Sequence, residues 1–135
     1  MIDSQPKLVV MVGLPRSGKT TFVNKYYIPQ GYAVVCPDNI RLALHGSRFI
    51  ASAEPFVWAI VYVMVDALLL SGNKVVVDSC FCTAVHREPF FKRGAYFKHI
   101  DTSKEECIKR AKNDIEIIHI IEKMNSEFQE PVNAQ

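Results

Sequence analysis

The stretch Lys7-Leu8-Val9-Val10-Met11-Val12-Gly13-Leu14-Pro15-Arg16-Ser17-Gly18-Lys19-Thr20-Thr21 decides how this chain is read. An apolar, strand-like run leads without a gap into Gly-x-x-x-x-Gly-Lys-Thr, and Thr21-Phe22-Val23-Asn24-Lys25-Tyr26-Tyr27 can continue as a helix. A phosphate chain needs backbone N–H donors crowded around it, a mobile cation for its terminal groups and a hydroxyl for bound magnesium. Gly13 and Gly18 supply the curl, Lys19 the cation and Thr20 the hydroxyl, while Leu14, Pro15, Arg16, Ser17 and Thr21 complete the cradle. Strand, loop and helix in that order imply a bound nucleoside triphosphate with Mg²⁺.

The rest of the 135 residues bounds the answer. A chain of this length fits one domain over residues 1–135, with a single core and one site. Hydrophobic residues are 49%, charged residues 22% and the net charge +2, too small for a general polyanion binder. Cys36, Cys80, Cys82 and Cys107 form no Cys-x-x-Cys pair, and no cationic, apolar leader precedes the first strand, so a cytoplasmic protein with reduced thiols is expected. Cys80 and Cys82 lack the partners for a tetrahedral zinc site and are expected to be semi-buried filling. The apolar stretch Phe56–Val65 is too short to span a bilayer and predicts a helix buried in the protein rather than a membrane segment.

Along the chain, Lys7–Val12 is the first strand after a loose start, and Pro29 and Gly31 stop the helix that follows the loop. Tyr32–Cys36 reads as a second strand, Asp38 as the cap of a helical turn, and His45–Arg48 as a loop before a helix over about 53–70. Lys74–Asp78 is a central strand, 87–93 a helix, 95–100 a fourth strand, and 104–112 a helix capped by Thr102 or Ser103. A last helix, about 114–129, carries Ile115, Ile118, Ile121, Met124 and Phe128 at helical spacing. Strands alternating with helices give an α/β fold, a parallel sheet of four to five strands with helices on both faces.

In such a sheet the chemistry sits at the carboxyl ends of the strands. Asp78 closes Val75-Val76-Val77, where a carboxylate reaches the magnesium that Thr20 also holds; the plainer alternative is an Asp capping the next turn. Asp38 and Arg41 lie three apart, so a general base and a phosphate-gripping guanidinium could share one side of the cleft. A capping Asp beside an exposed Arg explains the same spacing.

Four segments together resemble the polynucleotide kinase 5′-hydroxyl kinase domain family, within the small P-loop kinases of the AAA-type ATPase and zeta-toxin-like group. They are residues 13–21, Cys36-Pro37-Asp38-Asn39-Ile40-Arg41, the run from Gly72 into Asp78-Ser79, and His86-Arg87-Glu88, spread over residues 7–112. The resemblance implies a three-layer P-loop NTPase fold, Asp38 as base for the acceptor hydroxyl and Arg41 as ligand of the acceptor's phosphate. The chain departs from the family pattern at Arg16, where glycine is usual, and at Asp78-Ser79-Cys80, where Asp-x-Asn is common.

The family also carries a lid arginine that neutralises charge on the transferred phosphoryl, an effect worth roughly a thousandfold or more in rate. Arg110, with Lys112 second, occupies that place here, in a segment that could equally be a plain solvated helix end. Residues 86–112 hold an excess of cations, with Phe90, Phe91, Tyr96 and Phe97 among them, where a polyanion could dock. The expected activity is ATP-dependent transfer of the γ-phosphoryl group to a hydroxyl, first the 5′-hydroxyl of a nucleic-acid end, second a nucleotide or small metabolite. The competing class is a nucleotide-binding module with weak or no transfer. Asn-Lys-x-Asp is missing, which favours adenine over guanine. The oligomeric state stays open.

Overall fold

The computed structural model describes residues 5–46 and 49–133. The start of the expected loose amino end, residues 1–4, and Ser47-Arg48 of the loop after the second helix lie outside them. Ten main elements follow in order: β1 (Leu8–Val12), α1 (Lys19–Phe22), β2 (Ala33–Val35), α2 (Pro37–His45), α3 (Glu54–Leu70), β3 (Val75–Val77), α4 (Ala84–Phe91), β4 (Tyr96–His99), α5 (Lys104–Arg110) and α6 (Ile115–Glu127). Four parallel strands stand in the order β2-β3-β1-β4, with Val9 opposite both Val76 and Tyr96.

Strand alternation divides the core. Leu8, Val10 and Val12 join Val75, Val77 and Val35 on one face, under Val61 and Val65 of α3 and Phe90 of α4. Val9, Met11 and Val76 face the other way, onto Val23, Tyr32, Phe22 and Tyr27. A third cluster joins Leu14 and Cys82 to Cys107, Ala111, Ile117 and Ile121, seating α5 and α6 against the loop after β1. The helical layers therefore hold the carboxyl end of β1 from both sides, which fixes the loop that follows it.

Several expectations need correction. The helix after the loop is regular only to Phe22; Val23–Tyr27 widens into a π turn and Ile28–Gln30 tightens into a 3₁₀ turn before Gly31, whose φ of 88° ends it. Asp38 does not cap α2: the helix begins one residue earlier at Pro37, so Asp38 falls in its first turn and its carboxylate is free for other bonds. In α6 the core positions are Ile117 and Ile121, whereas Ile115 is exposed, because Asp114 caps the helix through Ile117 N–H and turns Ile115 outward. The cap of α5 is Ser103, which accepts from Glu106 N–H.

The largest departure is α3. It is not buried all round: Val57, Val61 and Val65 pack inward while Phe56, Val63 and Leu70 face outward. The helical segment Ala51–Leu70 contains 18 residues of mean hydropathy 1.8 and so is, by length and composition alone, long and apolar enough to cross a membrane, where the ten-residue apolar stretch was expected to be too short. Its inner face is nonetheless committed to the sheet through Val61, Val65, Trp58 and Tyr62.

Candidate active site

The loop after β1 closes tightly on itself. A Cβ at Gly13 would lie 2.8 Å from Ser17 Oγ and 3.0 Å from the Ile100 carbonyl oxygen, so no larger residue fits there. Gly18 has φ 103°, and Arg16, at φ 68°, holds the same left-handed conformation without being glycine. That explains why this family position favours glycine; Arg16 accepts strain of order 1–2 kcal/mol and sets its side chain on the cavity wall. Thr102, at the end of β4, donates its hydroxyl to the Ser17 carbonyl at 2.7 Å and ties the loop to the sheet.

Lys19 is buried with its ammonium folded into the loop, donating to the carbonyls of Gly13 (3.1 Å) and Leu14 (2.7 Å) and to Ser17 Oγ (3.4 Å). Thr20 Oγ1 donates to Asp78 Oδ2 at 2.7 Å, bringing together the hydroxyl and the carboxylate expected to hold magnesium. Two hard oxygens at one point fit Mg²⁺, which takes few protein ligands and keeps water and phosphate oxygens for the rest. A cavity of about 340 Å³ opens beside them, lined by Arg16, Gly18, Lys19, Thr20, Thr21 and Arg110. Its walls carry three cations and no carboxylate, the electrostatics of a polyphosphate site.

Arg110 stands on this wall because α5 leads back over the loop: its Nη1 donates to the Arg16 carbonyl at 3.1 Å, and its Nε to Glu106 Oε2 at 3.0 Å. The segment expected to act as a lid therefore brings a guanidinium to the cavity beside the loop. After it, Lys112 and Asn113 have φ of 50° and 67°, two left-handed residues in succession that turn the chain into α6.

The second half of the site lies on α2. Arg41 Nη1 donates to Asp38 Oδ1 at 2.8 Å, while Nε and Nη2 donate to Glu54 Oε2 and Oε1 at 2.9 and 2.7 Å. Three of its five N–H donors are thus engaged. Glu54 opens α3 and also accepts from Trp58 Nε1 at 3.3 Å, and the Trp58 ring lies 6.0 Å from the guanidinium. Arg41 is 12% exposed, Glu54 17% and Asp38 58%, so the clamp is covered while the Asp38 carboxylate faces solvent. The Glu54 hydrogen bonds raise the Arg41 pKa, and the same bonds lower that of Glu54.

Cys80 links the halves. Its carbonyl accepts from Gly13 N–H at 3.0 Å, and burial pushes its thiol pKa up, with the Lys19 ammonium opposing and the Asp38 and Asp78 carboxylates adding to the rise. Cys82 is buried filling, as expected, its thiol pushed up to about 12 mainly by burial. Among the described residues no group of three or more His, Cys, Asp or Glu could hold a metal ion.

Glu54 and Trp58, which flank Arg41, are residues the sequence did not flag, and Thr102, expected only as a possible helix cap, ties down the loop instead. A glutamate in the first turn of a helix reads as a partner of the helix dipole, and nothing local ties it to an arginine thirteen positions earlier. The basic stretch, conversely, shrinks. Arg87 is buried, donating to the carbonyls of Cys82, Thr83 and Gln129; Arg93 pairs with Asp66 and Arg110 with Glu106; Phe90 and Phe97 are core. Lys92, Lys109 and Lys112, with Phe91 and Tyr96, remain exposed.

A four-stranded parallel sheet, a phosphate-type loop after β1 and carboxylates after β2 and β3 define the class of P-loop kinase-like α/β proteins. The chain belongs to the AAA domain family (AAA_33), whose model matches residues 8–113. Solved structures share the fold. A chain of the Pnkp1/Rnl/Hen1 RNA repair complex is 22% identical with a TM-score of 0.70, over 98% of this chain and 49% of that one. The Mycobacterium tuberculosis APS kinase CysC, in complex with AMPPNP and APS, is 21% identical at 0.68, over 97% and 86%. A gluconokinase from Sinorhizobium meliloti is 18% identical at 0.64, over 93% and 77%. The chain thus spans about half the length of the RNA repair chain. No curated protein matches it in sequence.

Proposed function

We propose that this protein is an ATP-dependent kinase that transfers the γ-phosphoryl group to a hydroxyl, with the 5′-hydroxyl of a polynucleotide as acceptor. The observation that carries this reading is the Thr20–Asp78 pair beside the buried Lys19 and the cation-lined cavity, with the exposed Asp38 carboxylate, bonded to Arg41, following the strand next to the one that Asp78 follows. In that arrangement Asp38 accepts the proton of the attacking hydroxyl, Lys19 and Arg16 hold the phosphates, and Arg110 offsets charge on the transferred group. Thr20 and Asp78 would hold Mg²⁺, which would supply further neutralisation of the phosphate oxygens. Most of the work is positioning, since phosphoryl transfer needs little covalent help from the protein. The likeness to the RNA repair chain favours a nucleic-acid end, and the four free cysteines fit action in the reducing cytoplasm.

One observation supports a second reading, a small hydroxylated metabolite as acceptor. Arg41 lies between two carboxylates, so the cluster carries net negative charge and receives a neutral hydroxyl compound more readily than the phosphodiester anion of a polynucleotide end. Incubation with γ-labelled ATP, Mg²⁺ and either a 5′-hydroxyl oligonucleotide or a panel of neutral sugars separates the two. Label on the oligonucleotide supports the first reading, label on a neutral sugar alone the second. No transfer to either acceptor, with ATP bound, returns the protein to the class of nucleotide-binding modules.

A further inference from the structure

Residues 78–83 link β3 to α4 outside any helix or strand, yet they carry two parts of the phosphate site. Asp78 accepts from Thr20 Oγ1, and the Cys80 carbonyl accepts from Gly13 N–H at 3.0 Å. Next to that carbonyl the buried Phe81 stands at φ 47°, a left-handed conformation that a bulky residue keeps only where its surroundings impose it. Gln129, beyond the end of α6, supplies those surroundings. Its N–H donates to the Cys82 carbonyl at 2.9 Å, its Oε1 accepts from Ala84 N–H at 2.8 Å, and its carbonyl accepts from Arg87 Nη2. Arg87, 4% exposed, returns to the same segment and donates to the carbonyls of Cys82 at 3.4 Å and Thr83 at 3.2 Å. Thr83 precedes α4 without capping it through its side chain, so Gln129 Oε1 serves the first N–H of that helix instead. Gln129 is itself held on both sides. Before it, Phe128 packs against two core clusters and stacks on the His99 ring at 4.9 Å. After it, the Asn133 carboxamide accepts from Phe97 N–H at 2.7 Å and donates to the Phe97 carbonyl at 3.1 Å.

We propose that Gln129 is a positioning residue of the phosphate site, which fixes residues 82–84 and through them the Cys80 carbonyl that holds Gly13. Only Phe81 separates Cys80 from Cys82, and its constrained backbone passes a shift at one carbonyl on to the other. Cys82 adds a second link, its Sγ lying 3.8 Å from the Gly13 carbonyl oxygen that also accepts from Lys19 Nζ at 3.1 Å. Both backbone groups of Gly13 are therefore engaged by this segment, at the position where the loop has no room for a Cβ. A loop whose N–H groups must converge on a phosphate chain binds it best when those groups are set beforehand. Gln129 stands outside residues 8–113, the part of the chain that the family model matches. The proposal rests on the nucleotide-binding reading and is independent of the acceptor.

Amide hydrogen exchange and ATP calorimetry on the full chain, both well below its thermal midpoint, test it. Gln129→Pro removes the N–H and the Oε1 together, and Phe128, at φ −62° and ψ 134°, already has the extended conformation that a following proline requires. In this variant the Gly13 amide is expected to exchange about tenfold faster than in wild type, whereas the Ile100 amide, bonded to the Val12 carbonyl at 2.8 Å, changes far less. ATP with Mg²⁺ is expected to bind about fivefold more weakly. Gln129→Glu keeps an acceptor for Ala84 N–H and is expected to match wild type in both readouts. Asn133→Ala loosens the same segment at β4 and is expected to leave the ATP Kd unchanged. If the proline variant fails to fold, Gln129→Ala, which loses the Oε1 alone, provides the same comparison. Equal acceleration at Gly13 and Ile100, an ATP Kd unchanged at position 129, or one raised as far by Asn133→Ala would overturn the proposal alone. A wild-type chain that binds no ATP would overturn the nucleotide-binding reading with it.

Discussion

At the residue scale the account turns on Glu54, Gly13 and Asp38. Glu54 holds Arg41 through two hydrogen bonds, and if Arg41 and Asp38 form the acceptor side as proposed, its removal should be read in the acceptor rather than in ATP. Glu54→Gln keeps the shape but loses the charge-assisted pair, so the acceptor KM is expected to change several-fold while the ATP Kd stays within about twofold. The same pair has a pH signature. Because Arg41 lowers the Glu54 pKa below its ordinary 4.5, its stabilisation is complete above that value and lost as pH falls through the lower folded value. The wild-type thermal midpoint should therefore drop more steeply below pH 4.5 than that of Glu54→Gln, which lacks this titration. Gly13→Ala forces a Cβ to 2.8 Å from Ser17 Oγ and 3.0 Å from the Ile100 carbonyl; Ser17 can turn away, but the carbonyl is part of the sheet end. Loss of ATP binding by at least tenfold is expected in calorimetry, with unfolding shifted down by about 1–3 kcal/mol.

At the scale of elements, the test falls on α5. Its only side-chain cap is Ser103, and α5 is what carries Arg110 to the phosphate cavity. Ser103→Ala should lower global stability by about 1 kcal/mol and reduce kcat modestly. Arg110→Ala should leave stability near wild type and lower kcat by about 10³, with little change in ATP Kd. Equal effects of the two variants on kcat would assign Arg110 a structural role only. The elements themselves were mostly legible: β1, β3 and the loop between strand and helix are written in Val runs and two glycines, because period and turn chemistry are local. What local pattern does not record is which side of a helix meets a neighbour. Apolar residues all round α3 read as full burial, yet burial is set by the sheet's width, and four strands cover one side of it. Asp38 likewise reads as a cap from its own neighbourhood, whereas the helix begins at Pro37 and leaves the carboxylate to Arg41. The Arg41–Glu54 pair joins two elements through tertiary packing alone, so no spacing could reveal it.

For the whole molecule, the sheet order β2-β3-β1-β4 brings the ends of β1, β2 and β3 side by side, and with them Lys19, Asp38 and Asp78. On the proposed reading, this is how a short chain would hold both a donor and an acceptor site. Saturating ATP with Mg²⁺ should stabilise the fold by about 2.7 kcal/mol at a hundredfold excess over Kd, a gain absent in Lys19→Ala. The most direct measurement is a single-turnover transfer of label from γ-labelled ATP to a 5′-hydroxyl oligonucleotide by wild type and Asp38→Asn, with ATP binding measured on the same samples. Wild type is expected to transfer the label, and Asp38→Asn to bind ATP equally well yet transfer at least a hundredfold more slowly. Transfer by Asp38→Asn at the wild-type rate would contradict the account.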